Sequence, residues 1–179
     1  MIEQAALSLA RRGLQRTSFS EVLEAAGAPR GSLYHHFPGG KDELVLGALQ
    51  AAGDFALAAV EGGAGKPAAE IAAAFADVWR TILIRSDFGA GCAIAAVTVA
   101  ADSPDLLDRT GAIFRAWTAR LAALLTEGGV SPERALALAV TLIAALEGGV
   151  LLARAQRSME PFELVAAEQI KAIGAASAR

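Results

Sequence analysis

The chain has one cysteine (Cys92), one tyrosine and two adjacent histidines, His35 and His36. A single cysteine excludes an intrachain disulfide and a multi-cysteine zinc site, and fits a reducing cytoplasm. The histidine pair makes a poor metal site, because neighbours on a helix point about 100° apart and no third histidine exists. It also leaves no nucleophile–histidine–acid set outside that one segment. A G-x-x-x-x-G-K-[ST] phosphate loop is absent too: "GGAGK" at 62–66 lacks the spacing. Neither an enzyme nor a cofactor is expected. No basic stretch precedes a signal-type apolar run at the start of the chain, so a cytoplasmic rather than secreted protein is expected.

Aromatics make up only 6% of the residues, yet 54% are hydrophobic and mean hydropathy is +0.43. That is too apolar for disorder and too rich in strong helix formers for a sheet protein, so the fold class expected is all-α. A length of 179 residues allows one full core or two unequal pieces. Charge divides the chain. Residues 1–46 hold five basic and five acidic side chains, and the formal charge of −3 falls on residues 47–179. The first segment is therefore not strongly basic, but its positive groups stand beside turns, where they can face a partner.

Ile2, Ala5, Ala6, Leu9 and Ala10 form the stripe of an amphipathic helix that Gly13 ends. "SFSE" at 18–21 has the form of a capping box, opening a second helix from about Phe19 to Ala26. Gly27 supplies a left-handed exit and Pro29 suits the first turn of a short helix reaching about His36. Two short helices joined by a glycine turn and braced by a third predict a helix-turn-helix. Leu33 and Phe37 pack inward, leaving Arg30, Ser32, Tyr34 and His35 on the outside or the rim. Pro38, Gly39 and Gly40 then stop the helix. Lys41 and the first amides of the next helix are placed to meet a phosphate.

"TSFSEVLEAAGAPRGSLYHHFPGGKDEL", residues 17–44, resembles the DNA-binding segment of the tetracycline-repressor (TetR) family, a match covering about residues 2–46. "GCAIAAVTVAADSPDL" at 91–106 resembles the start of the ligand-binding half in the LmrA/YxaF-like branch. The resemblance implies phosphate contacts from Thr17, Ser18, Tyr34, His35 and Lys41, and base-edge reading from Arg30 and Ser32. Read on residue type alone, Ser18 is equally a helix cap, Tyr34 and His35 packing residues, and Lys41 a solvated charge. The division implied is a DNA-binding domain at 1–46 and a ligand-binding and dimerisation domain at 47–179.

Beyond the head, helices are expected to about Glu61, from Ala68 to Arg85, from Ala93 to Ala101, from Pro104 to Glu127, from Pro132 behind a Ser131 cap to about Gln156, and through "MEPFELVAAEQIKAI". Within the long helix, residues 136–153 are apolar enough to raise a membrane span. Against it, Glu147 would sit in hydrocarbon at about 2.5–3.5 kcal/mol on insertion scales. A helix apolar on most sides is equally expected where one face meets its own bundle and another a second subunit. The resemblance implies the same, with the last two helices pairing with their copies. The stripe Leu138, Leu142, Ala145, Gly149 and Leu152 is the expected dimer interface. An apolar or aromatic effector is expected among Phe75, Trp79, Phe88, Cys92, Phe114, Trp117 and Glu147, where aromatic walls and a few polar groups collect. The function expected is a ligand-responsive regulator, acting as a repressor on a palindromic operator as a homodimer. A dimeric ligand-binding module that never touches DNA is the alternative.

Overall fold

A computed structural model describes residues 1–29, 31 and 35–177. Among these residues there are eight helices and no strand: α1 (Ile2–Arg12), α2 (Phe19–Ala25), α3 (Lys41–Glu61), α4 (Ala68–Arg85), α5 (Ala93–Ala100), α6 (Pro104–Glu127), α7 (Pro132–Gln156) and α8 (Glu160–Ser177). The expected spans hold to within a residue or two at most ends, because the breaks are chemical. Gly13 (φ 75°), Gly27 (φ 62°) and Gly40 (φ 72°) adopt the left-handed backbone that costs other residues most. Pro132 occupies the first turn of α7.

The helices form two compact units. The first comprises residues 1–54 and 92–113. In it α1 packs on α2 and α5, with Ala5 and Leu9 fully buried. Leu44, Ala48 and Leu49 of α3 and Ile94 and Val97 of α5 are closed from solvent as well. Gly53 lets α3 approach α6: a Cβ there would lie 2.8 Å from Ile113 Cγ2.

The second unit comprises residues 55–91 and 114–179, in which α4, α7 and α8 pack pairwise on one another. Ile71, Phe75, Trp117, Leu121, Leu124, Leu142, Leu146 and Phe162 are sealed inside it. Bidentate ion pairs brace its edges. Arg80 donates to Glu163 at 2.6 and 2.7 Å, tying α4 to α8, and also pairs with Asp77. Arg120 holds Glu61 at 2.8 and 2.6 Å. The Arg80 hydrogen bonds keep the Glu163 carboxyl below its ordinary value of 4.5 against the opposing effect of burial. A depressed folded pKa stabilises the fold above that ordinary value, and the contribution fades as pH falls through the folded one.

Ser131 stands at the N-cap of α7 but makes no side-chain bond to a helix amide. In the first turn the Glu133 carboxylate is held below the ordinary range by its own backbone amide first and the Ser131 hydroxyl second. Both α3 and α7 are long and apolar enough to cross a membrane by length and composition. The apolar character of α7 has a local use, since Leu142, Leu146, Gly149, Val150 and Ala153 all belong to the core.

The turn between α6 and α7 leaves no room for a Cβ at Gly128. Ala68 N–H donates to the Gly128 carbonyl at 3.2 Å, and a Cβ on Gly128 would stand 2.6 Å from Ala68 N and 2.8 Å from the Lys66 carbonyl oxygen. Those are backbone atoms that cannot swing aside. Gly128→Ala is therefore expected to lower unfolding free energy by about 1–3 kcal/mol, the usual cost of overpacking, measured by urea denaturation; an unchanged midpoint would show that the turn relaxes freely.

Candidate nucleic-acid interface

The head is set by three turns. After α1, the chain turns at Gly13 and Thr17 locks it: the Thr17 hydroxyl donates to the Gly13 carbonyl at 2.8 Å and lies 3.1 Å from Ser8 Oγ. Ser18 then caps α2, accepting the Glu21 amide at 3.3 Å. Only half of the expected capping box forms, because the Glu21 carboxylate turns to Arg12 at 2.8 Å and so ties α2 to the end of α1. At the far end of α2, Ala26 N–H bonds the Val22 carbonyl and Ala28 N–H the Leu23 carbonyl around left-handed Gly27. Orphan carbonyls at the helix end are satisfied in this way, and the chain is redirected into Pro29.

Arg30, Ser32 and Tyr34, three of the expected DNA contacts, lie outside the described residues, as does Leu33. The segment ends at His35 and His36, both in helical backbone and exposed, with ring centroids 5.2 Å apart and nearly perpendicular. Phe37, expected to pack inward, is half-buried. Gly40 N–H then bonds the Phe37 carbonyl and α3 begins.

Of the remaining expected phosphate contacts, Ser18 is exposed and Lys41 half-buried, its ammonium donating to the Leu14 carbonyl at 3.4 Å. Lys41 thus pins the start of α3 to the turn after α1. Thr17 differs from expectation: it is 4% exposed and its hydroxyl is used inside the head, so it has no side-chain surface for a phosphate. Just ahead of α3, Gly39 N–H is taken by the Glu43 carboxylate at 2.8 Å, which brings a negative side chain to the start of the helix.

Of the expected effector residues, four are seen together. Phe75 and Trp79 on α4 and Phe114 and Trp117 on α6 come together, the rings spaced 5.5–6.2 Å apart, mostly edge to face. Phe88 is half-buried in the loop after α4, and Glu147 half-buried on α7. Cys92 belongs to the first unit, where it caps α5: its Sγ accepts the Ala95 amide at 3.4 Å. An open surface depression lies at the α6–α7 turn, lined by Thr126, Val130, Pro132 and Arg134 among others, and includes none of these rings.

The expected interface stripe on α7 is only partly at the surface. Leu142 is fully buried, and Gly149 packs on Phe162 of α8, where a Cβ would meet Phe162 Cδ2 at 3.3 Å. Neither has surface to offer a second copy. Leu138 and Ala145 are half-buried, and Leu152 is exposed. The open side of the helix carries Leu136, Val140, Ala144, Gly148, Leu151 and Leu152 instead.

One residue escaped sequence reasoning. Arg154 on α7 donates to the carbonyls of Phe88 and Gly89, both at 3.3 Å, clamping a loop in which Asp87 and Phe88 have positive φ. A single arginine late in a long apolar helix was the available signal.

Because the Thr17 hydroxyl is spent inside the head, Thr17→Val is expected to cost about 1 kcal/mol of stability, the worth of a typical hydrogen bond, by thermal denaturation. The slope of DNA affinity against salt should be unchanged; a flatter slope would restore Thr17 as a phosphate contact.

Residues 1–48 match the family model of bacterial regulatory proteins of the tetR family, and residues 67–168 that of the C-terminal domain of LmrA/YxaF-like transcriptional regulators. An uncharacterized HTH-type transcriptional regulator of Mycobacterium tuberculosis is 41% identical over 175 residues, covering 92% of this chain and 88% of the relative. The YxaF regulator of Bacillus subtilis is 28% identical over 163 residues, covering 89% of this chain and 85% of the relative. The crystal structure of a TetR transcriptional regulator from Legionella pneumophila shares the fold, with a TM-score of 0.85 at 22% identity over 96% of this chain and 94% of that one. The α1–α2 frame of the head, the helices of the second unit and these likenesses agree: the chain belongs to the TetR family of transcriptional regulators, in its LmrA/YxaF-like branch.

Proposed function

We propose that the chain is a cytoplasmic, ligand-responsive repressor that holds a palindromic operator as a homodimer and releases it on binding a small apolar or aromatic molecule. Residues 1–46 are the reading head; residues 47–179 bind the effector and join the copies. The observation that carries this reading is the Ser18-capped α2 followed by the left-handed Gly27 turn into a segment ending in exposed His35. In a helix-turn-helix the segment after this turn is the one that meets a major groove.

Within the segment, Arg30 reads a base edge and Ser32 assists it. Ser18, Tyr34, His35 and Lys41 position the head on phosphates. With an operator selected from random duplexes, Arg30→Ala is expected to lose about 1–3 kcal/mol of discrimination at one base pair. Lys41→Ala should weaken all sequences alike and flatten the salt dependence. Unchanged sequence preference in Arg30→Ala would refute the base-reading role.

A head with no net charge neutralises few phosphates, so one copy holds DNA weakly and two joined copies gain effective concentration. The outer stripe of α7 supports that pairing. Gly148 has nothing within 4 Å of a built Cβ, whereas Gly149 lies against Phe162. Gly148→Arg is therefore expected to keep the helical fold by circular dichroism, halve the mass in light scattering and lose operator binding. Gly149→Arg should instead disrupt the bundle. A Gly148→Arg variant that remains dimeric would place the interface elsewhere.

Effector binding among Phe75, Trp79, Phe114 and Trp117 favours a form whose two heads no longer fit one duplex. By linkage the operator then weakens effector binding by the same factor.

A further inference from the structure

Both histidines of the 179-residue chain stand side by side in the segment proposed to meet DNA. His35 and His36 are exposed and in helical backbone, with ring centroids 5.2 Å apart and an interplanar angle of 73°. Neighbours on a helix point about 100° apart, so the two rings cover a broad arc of the segment's surface. Imidazole is the side chain whose charge ordinarily changes between about pH 5 and 8. Any such change in this chain therefore falls at one place, on the proposed DNA-binding surface.

The rest of the head has no surplus charge to offer a phosphate. Its five basic and five acidic side chains cancel, and carboxylate, ammonium and guanidinium groups ordinarily keep their charges across that range. The charged groups on the neighbouring elements are Arg12 and Arg16 at the end of α1 and the turn after it, Glu21 and Glu24 on α2, and Lys41, Asp42 and Glu43 on α3. Several are engaged already: Arg12 pairs with Glu21 at 2.8 Å, Glu43 takes Gly39 N–H, and Lys41 donates to the Leu14 carbonyl. Among the described residues none of them forms an ion pair with either imidazole. A proton on the pair thus turns a neutral head positive, and a phosphate is the partner that gains from it. Two cations at that spacing repel, so one proton per head is the charge that counts.

We propose that the His35–His36 pair makes DNA binding proton-linked, each head taking up about one proton as it docks, so that the operator is held more tightly as pH falls toward about 5.5. This rests on the reading above that the segment after Gly27 meets DNA, and adds to it a response to acidity separate from any small-molecule effector. By linkage, protons strengthen operator binding and operator strengthens proton binding by the same factor.

Fluorescence anisotropy of a labelled duplex, selected from random sequences by the full-length protein, reads the effect at constant ionic strength. Between about pH 8 and about pH 5.5 affinity is expected to rise about tenfold, as for one hydrogen bond to a charged group gained. The slope of log affinity against log salt should steepen by about 0.9 for each phosphate so neutralised. The double variant His35→Gln/His36→Gln should lose the rise with falling pH, whatever its affinity at the alkaline end. Calorimetry of the unaltered protein in two buffers of different ionisation enthalpy should show about one proton taken up per head near pH 6.5, which needs no variant to fold. Affinity that does not change with pH, a rise retained by the double variant, or binding without proton uptake would overturn the proposal and leave the DNA-binding reading in place. A protein that holds no duplex at either pH would overturn both.

Discussion

The second unit depends on covering α7, a helix of 25 residues that is apolar around most of its circumference. Its inner side is settled within the chain, where Leu142, Leu146, Gly149 and Val150 meet a core shared with α4 and α8. Gly149 lies against Phe162 at the first turn of α8. Removing that much apolar surface from water is the main gain available to a bundle of this kind, at roughly 25 cal/mol per Å². The outer side is left with Leu136, Val140, Leu151 and Leu152 in the open. A row of large apolar side chains on one helix face is costly to leave in water and suits a second copy of the same face.

The head adds a second kind of interaction to its buried Ala5, Leu9, Val22 and Leu23. Its helices are short, and α2 has only seven residues, too few to be stable alone. Side chains hold them through backbone groups: Thr17 on Gly13, Ser18 on Glu21 and Lys41 on Leu14. The Arg12–Glu21 pair adds a link between α1 and α2 across exposed surface. The satisfied ends fix where α2 stops and where α3 starts, on either side of the segment proposed to meet DNA.

Much of this was legible in the sequence, and the exceptions share a cause. Ser18, Gly27 and Pro132 work locally, and their positions alone predicted the helix ends. Phe75 and Trp79, four residues apart, and Phe114 and Trp117, three apart, marked faces that do meet. Thr17 could be placed near the α1–α2 turn but its hydroxyl could choose between Gly13 and solvent only once α1 was folded. Glu21 had Arg12 as a rival to its own capping role. On α7 the pattern failed because apolar residues occur on both sides, so Gly148 and Gly149 could not be told apart until Phe162 was seen against one of them. The Arg80–Glu163 bridge and the Arg154 clamp join residues far apart in sequence, and no local spacing announces them.

In the proposed account the outer face of α7 makes two chains into one DNA-binding unit, each contributing a head of no net charge. Mass measurement of the unaltered protein, alone and on a palindromic operator duplex, tests that claim most directly. Multi-angle light scattering is expected to give twice the 18.3 kDa chain mass without DNA, and two chains, or a whole number of such pairs, on each duplex. A protein of single-chain mass that binds the operator tightly as one chain per duplex would contradict it.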